Sequence, residues 1–253
     1  MSGRPWVLAE TSWSAVRASA FEVAVLPWGA TEAHNQHLPY GTDNLETERI
    51  AQEAAGIAHE RGAKVIVLPA MPYGVNAQQL DIPLTLNVNP STQALVLADL
   101  AHSLEPFVRK LLILNGHGGN DFRSMIRELQ PRTPLFLCTA DWYRAVDPTA
   151  WFDEPGDHAG ELETSLLLHL APELVEPRDA WGAGRERRSR LTAVREGWVW
   201  APRRWTQVTE DTGVGDPSAA TAQKGATYFE AVVTKLADFL AELSALDPHH
   251  LYD

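Results

Sequence analysis

Three short stretches concentrate the side chains that can do chemistry. In "WGATEAHNQHLPYGTD" (28–43), a glutamate, two histidines and an aspartate follow an apolar run. Glu32 and His34 are two apart, so on extended chain they point the same way. With Asp43 they make a carboxylate, imidazole and carboxylate set of hard-to-borderline ligands, suited to zinc, manganese or iron(II). Asp43 also opens a helical pattern, where it suits a cap, with Glu46 three residues on as its capping-box partner. His37, before Leu-Pro, is placed to pack or hydrogen-bond behind such ligands.

In "NGHGGN" (115–120), His117 is flanked by glycines. Gly118 and Gly119 let the backbone approach a ligand closely, and the helix expected after Asn120 offers N–H groups to an oxyanion. A nucleotide phosphate is a second reading of such a turn. The chain, however, has neither GxGxxG nor GxxxxGK[ST], and the histidine would obstruct a phosphate cradle. In "DHAGELETS" (157–165), Asp157 and His158 precede a helix whose first turns carry Glu161 and Glu163. Carboxylates are common there because the helix dipole favours them, so one of the two is expected to be structural. A histidine at this place can move a proton near neutral pH. His59, His102 and His169 sit within helical patterns and read as structural. Trp142 and Trp151 are placed to wall a pocket. There is no GxSxG elbow.

The elements that must position these residues follow from hydrophobic periodicity. Apolar runs at 21–29, 63–71, 110–116 and 134–140 read as strands. Helical patterns cover 43–62, 91–109, 121–129 and 160–170. A final helix follows Asp216 as cap and Pro217 in the first turn, with a stripe of Phe229, Val232, Val233, Leu236, Leu240 and Leu243. Residues 172–207 read as irregular, with a hairpin near "GWVWAP". Alternating strands and crossover helices imply an α/β fold, a single three-layer α/β/α domain (1–253) with a mostly parallel central sheet. Ligands of such sheets gather beyond the carboxyl ends of the strands. Every chemistry-bearing stretch follows a strand, as does "MPYGVNAQQ" with Tyr73, so all fall on that one edge.

The 33 acidic and 21 basic residues give a formal charge of −12, which argues against a nucleic-acid groove or an anionic membrane surface as partner. The basic "GRERRSR" (184–190) reads as a solvated loop. The single cysteine, Cys138, excludes an internal disulfide and a thiolate zinc cage, and its apolar setting suits a buried structural thiol. No apolar run reaches the length of a membrane span, and the first residues lack a signal-peptide core, so a cytoplasmic protein is expected.

Taken in order, "GATEAHNQHLPYGTD", "LNGHGGN", "DHAGELETS" and "GVGDPSAATAQKG" resemble the creatininase family of metal-dependent amidohydrolases, over about residues 25–225. The resemblance implies a three-layer α/β/α fold, a homo-oligomer, often a hexamer, and two divalent metal ions per chain, zinc first, with manganese or iron as alternatives. It implies Glu32, Asp43 and His117 on one ion, and His34 on the other with Asp43 bridging. It further implies His158 near the substrate in proton transfer, and His37 and Asn120 orienting ligands. Creatininase itself has a glutamate two residues after the second-motif histidine. Here that position is Gly119, and Glu163 is the expected replacement. Two further departures fall in pocket loops: Glu154-Pro155, where creatininase carries Trp-Asp, and the loop around Gln79, where the commoner pattern has a histidine and then Phe-Pro-Gly-Thr at 82–85. The implied reaction is hydrolysis of a C–N amide bond in a small-molecule or peptide substrate, with creatinine disfavoured. The alternative is a non-catalytic metal or small-ligand binding protein on the same scaffold.

Overall fold

The structure is a computed structural model and describes residues 3–252. In chain order it contains α1 (Trp13–Arg17), β1 (Val23–Trp28), α2 (Thr42–Glu60), β2 (Val65–Val67), α3 (Pro90–Leu104) and β3 (Lys110–Asn115). Then come α4 (Phe122–Leu129), β4 (Phe136–Asp141), α5 (Glu161–Leu170), α6 (Thr192–Arg195), α7 (Trp205–Val208) and α8 (Ala222–Ala245). The four strands form one all-parallel sheet in the order β2-β1-β3-β4.

Strand alternation explains the layers. Val23, Val25, Val65, Val67, Leu112 and Leu114 face α2, α5 and α8, where Ile50, Ala54, Leu166, Val232 and Leu236 meet them. Ala24, Leu26, Trp28, Ile66, Leu111 and Ile113 face α3 and α4, through Leu97, Ala101, Phe122 and Met125. Both faces are covered, as a parallel sheet of apolar strands requires. The α/β fold expected from the periodicity is the one observed. Registers align Trp28, Asn115 and Asp141 across the sheet. The loops that follow these residues therefore start from one level at one edge.

Local details differ from the sequence reading. The final helix begins at Ala222, where the Thr221 side chain accepts from Lys224 N–H at 3.2 Å. Asp216 instead closes a turn by accepting from Ser218 N–H at 2.8 Å. Pro217 thus lies in that turn and not in the helix. The hairpin expected near "GWVWAP" is not formed; the segment is the short α6 followed by irregular chain. Gly197, just after the Glu196 cap of α6, takes φ +80, a conformation open to glycine. Among the described residues, no helix is long and apolar enough to cross a membrane.

Candidate metal centre

The loop after β1 carries Glu32, His34 and His37, and α2 brings Asp43 in its first turn. The loop after β3 carries His117, and the chain between β4 and α5 carries His158 just before Glu163. Of these, Glu32, His34, Asp43, His117 and His158 are all buried. The first loop folds back sharply because Asn35 adopts φ +54, a conformation asparagine tolerates. His158 is fixed by backbone pairing to Val214: its N–H donates to the Val214 carbonyl at 3.0 Å, and Val214 N–H returns a bond to His158 at 2.7 Å. This pairing needs backbones in near contact. A Cβ on Gly215 (φ +127) would lie 2.4 Å from Gly156 Cα. The glycines of "GVGD" are therefore what seat His158, a role the sequence reading did not give them.

The ligand-type atoms fall into three groups: Glu32, Asp43 and His117; His34, Asp43 and Glu163; Glu32, His34 and His158. Within each, the atoms lie within 4.8 Å of one another. His117 Nδ1 is 2.9 Å from Glu32 Oε1 and 3.0 Å from Asp43 Oδ2. His34 Nε2 is 2.9 Å from the other Asp43 oxygen, Oδ1. Asp43 therefore stands between the two histidines. His158 Nδ1 is 3.7 Å from Glu32 Oε1, and its ring lies over that of His34 at 4.1 Å between centroids. Gly41 is the cap residue of α2 and makes no side-chain cap, so Asp43 is inside the helix and its carboxylate is turned to the histidines.

Each histidine is held by its far nitrogen. His117 Nε2–H donates to the Val75 carbonyl at 3.0 Å, His34 Nδ1–H to the Glu32 carbonyl at 3.1 Å, and His158 Nε2–H to the Ala33 carbonyl at 2.7 Å. A carbonyl only accepts, so these ring nitrogens carry protons and the opposite nitrogens face the carboxylates. That is how metal-binding histidines are oriented.

The electrostatics match. Burial alone would lower His34, but the charge and hydrogen bond of Asp43, with Glu163 and Glu32, outweigh it and hold His34 up to about 10. His117 is likewise raised well above the usual histidine range by Glu32 and Asp43 against its burial. Burial raises the Glu163 carboxyl. His37 is lowered to about 4 by burial and then by His34. Its Nε2 pairs with Thr164 Oγ1 at 2.9 Å and its ring stacks on Trp181.

Other residues singled out in the sequence sort as follows. Asn120 is a buried hub that accepts from Val75 N–H at 3.0 Å and Gln93 at 2.9 Å, and donates to Asn115 at 3.0 Å. Gly118 lines the cavity, while Gly119 backs directly on the Val75 carbonyl and the His117 ring. Asp121 takes up the Arg123 N–H of the α4 first turn at 3.2 Å, so that helix start does not offer that group to an oxyanion. Glu161 pairs with Lys224 and accepts from Glu154 N–H at 3.2 Å, which leaves Glu163 as the glutamate at the site. Asp157 borders the cavity and pairs with Arg203 at 2.5 Å. Trp142 lines the cavity, but Trp151 packs edge-on against Tyr228 in the core. Tyr73 is 45% exposed and contributes its carbonyl, which accepts from Trp28 Nε1–H at 3.0 Å.

Two buried residues carry roles the sequence reading missed. Gln79 donates its amide to Glu32 Oε2, the oxygen turned away from His117. The signal was the departure at that position, read only as a change in pocket shape. Glu46, one turn beyond Asp43, has neither oxygen hydrogen-bonded. Burial and the negative Glu163 and Asp43 push its carboxyl well above the usual range. It is not the capping-box partner.

The donor set fits divalent ions. It contains nitrogen and carboxylate oxygen only, and Asp43 Oδ2 is buried without an aligned hydrogen bond. A buried carboxylate oxygen so placed costs free energy unless a cation meets it. The adjoining cavity is about 280 Å³, lined by Gly116, Trp142, Tyr143, Pro148, Pro155 and Leu162 beside the ligand-type residues.

A family model described as creatininase, creatinine amidohydrolase, matches residues 9–240. The chain belongs to the creatininase family. Its structure is similar to the crystal structure of a Bacteroides fragilis protein named for creatinine amidohydrolase, at 41% identity and a TM-score of 0.91 over 98% of each chain. It is 30% identical over 220 residues to the mycofactocin precursor peptide peptidase of Mycobacterium tuberculosis, covering 83% of this chain and 80% of that one. A mutant creatininase of Zn-Zn type shares the fold, at 23% identity and a TM-score of 0.79 over 96% of this chain and all of that one. Membership makes this chain a metal-dependent amidohydrolase, as its four motifs implied.

Proposed function

We propose that the protein uses two divalent ions to hydrolyse a C–N amide bond, and that its substrate is a peptide or peptide-like amide. The observation that carries the reading is Asp43, whose two oxygens face His34 and His117 separately. Glu32, Asp43 and His117 would hold one ion, and His34, Asp43 and Glu163 the other. The ions, zinc or manganese or iron, would lower the pKa of a bound water and polarise the amide carbonyl. The chain's own residues do the rest. Carbonyl bonds on the far nitrogens fix the ring orientation of His34 and His117. Glu32 is pinned from behind by Gln79. His158 keeps Nε2–H on the Ala33 carbonyl and presents Nδ1 toward Glu32, placed to hand a proton to the leaving nitrogen. Trp142, Tyr143 and Leu162 exclude water around the amide.

The peptide reading draws on the similarity to the mycofactocin precursor peptide peptidase. Pro155, where the resemblance sets an aspartate in creatininase, lines the cavity and offers no polar side chain there. Exposed Leu84, Leu95 and Phe107 supply apolar surface of the kind subunit contacts cover, in keeping with a homo-oligomer. The test is a screen of short peptides, formamides, cyclic ureides and creatinine with amine and ammonia detection. Release of amine from a peptide, abolished in Asp43→Ala, supports the reading. Turnover of creatinine alone contradicts the substrate class.

A further inference from the structure

A second cavity, about 1090 Å³, opens along the irregular segment between α5 and α8. Six arginines line it: Arg187, Arg188, Arg190, Arg195, Arg203 and Arg204. One acidic residue, Glu186, shares the wall. The chain as a whole carries −12, yet residues 185–204 hold seven arginines against two glutamates. Arg187 pairs with Glu210, Arg188 with Glu186 and Arg203 with Asp157. Among the described residues, Arg190, Arg195 and Arg204 form no ion pair. Like charges gathered around a cleft repel, and an anion in the cleft relieves that repulsion. Guanidinium forks match carboxylate and phosphate geometry.

The cleft adjoins the metal centre. Arg203 lines the cleft, and its partner Asp157 lines the cavity beside His117 and His158. The Arg203 guanidinium also lies 4.5 Å over the Trp205 ring, whose edge meets His158 at 5.2 Å between centroids. The Arg203–Asp157 ion pair thus joins the walls of the two spaces. The inner cavity, at about 280 Å³, takes an amide and its immediate substituents but little more. The remainder of a larger substrate would extend toward the arginines.

We propose that the arginine cleft is an anion subsite, selecting amide substrates that carry a carboxylate or phosphate group away from the bond that is cleaved. The role in selection rests on the hydrolase reading above; the binding of anions does not. The test is calorimetric titration of the purified protein with glycerol 3-phosphate and with glutarate, two weakly chelating probes that distinguish phosphate from carboxylate. It is repeated on Arg190→Gln/Arg204→Gln and on Asp43→Ala. Both arginines are exposed, so the double variant should melt as the wild type does. The expected result is saturable binding of one probe, weakened at least tenfold in the arginine variant and by added salt, and retained in Asp43→Ala. Wild-type protein that binds the probe but, purified without chelator, holds no metal would support the subsite while rejecting the hydrolase reading. Absence of binding, or binding lost in Asp43→Ala but intact in the arginine variant, would overturn the subsite.

Discussion

Gly119 offers the sharpest test of how this centre is assembled. The resemblance to creatininase sets a glutamate against this glycine; here a Cβ would lie 2.2 Å from the Val75 carbonyl oxygen and 2.4 Å from His117 Nε2. Val75 is backbone, and His117 Nε2 is the atom that donates to it at 3.0 Å. Gly119→Ala must therefore displace the imidazole from its carbonyl and disturb the placement of Nδ1 against Glu32 and Asp43. Overpacking costs about 1–3 kcal/mol and the lost hydrogen bond about 1 more. For a chain of this size that is a fall in Tm of roughly 4–16 °C. Disturbing the group that orients a ligand should weaken metal binding by about 10–100-fold. Gly118→Ala is the internal control, since a Cβ there meets nothing within 4 Å. Calorimetric melting and competition against a chelator read both effects. Gly119→Glu should fail in the same way as Gly119→Ala, although it supplies a carboxylate, because the clash is at Cβ. A Gly119→Ala protein that melts and holds metal like the Gly118→Ala control would refute the reasoning.

Three further outcomes follow from the same geometry. Gln79→Ala should lower ion affinity by about 10–100-fold, and Gln79→Glu by more, because it sets a second carboxylate against Glu32; unchanged affinity in a chelator competition would contradict the pinning role. In the metal-free protein, His34 is held at about 10, above its unfolded value near ~6.5, so its stabilisation is full below that value and lost as pH rises through about 10. The Tm of metal-free protein should fall across that window while metal affinity rises, with proton release on metal binding seen in buffers of different ionisation enthalpy; a Tm that climbs toward pH 10 would count against it. Gly215→Ala should lower kcat more than metal content, because its Cβ displaces the loop that seats His158; equal losses would place the effect on the metal centre instead.

How much of this was legible in the sequence differs by level. Strand and crossover periodicity gave the parallel sheet, and the rule that ligands gather beyond the strand ends brought Glu32, His34, Asp43, His117 and the 157–165 cluster to one edge. Asp43 shows the limit of local reading. As a residue near a helix start it also suited a cap; His34 and, seventy-four positions later, His117 together show why its carboxylate turns inward. The choice between Glu161 and Glu163 needed Lys224, a contact no spacing within α5 contains. Gln79 and the glycines of "GVGD" act through long-range backbone and side-chain contacts, so their signals were visible but their roles were not. The arginines of "GRERRSR" (184–190) read as a solvated loop, and nothing in the irregular segment 172–207 itself says that Arg203 meets Asp157 and Trp205.

The central claim is that Asp43 joins two ions into one centre. Its most direct measurement is elemental analysis of protein purified without chelator, wild type beside Asp43→Ala and Gln79→Ala. The geometry predicts close to two divalent ions per wild-type chain, one or none in Asp43→Ala, and weakened but recoverable loading in Gln79→Ala. A wild-type chain that hydrolyses its amide with one ion or none, or an Asp43→Ala chain that still holds two, would contradict it.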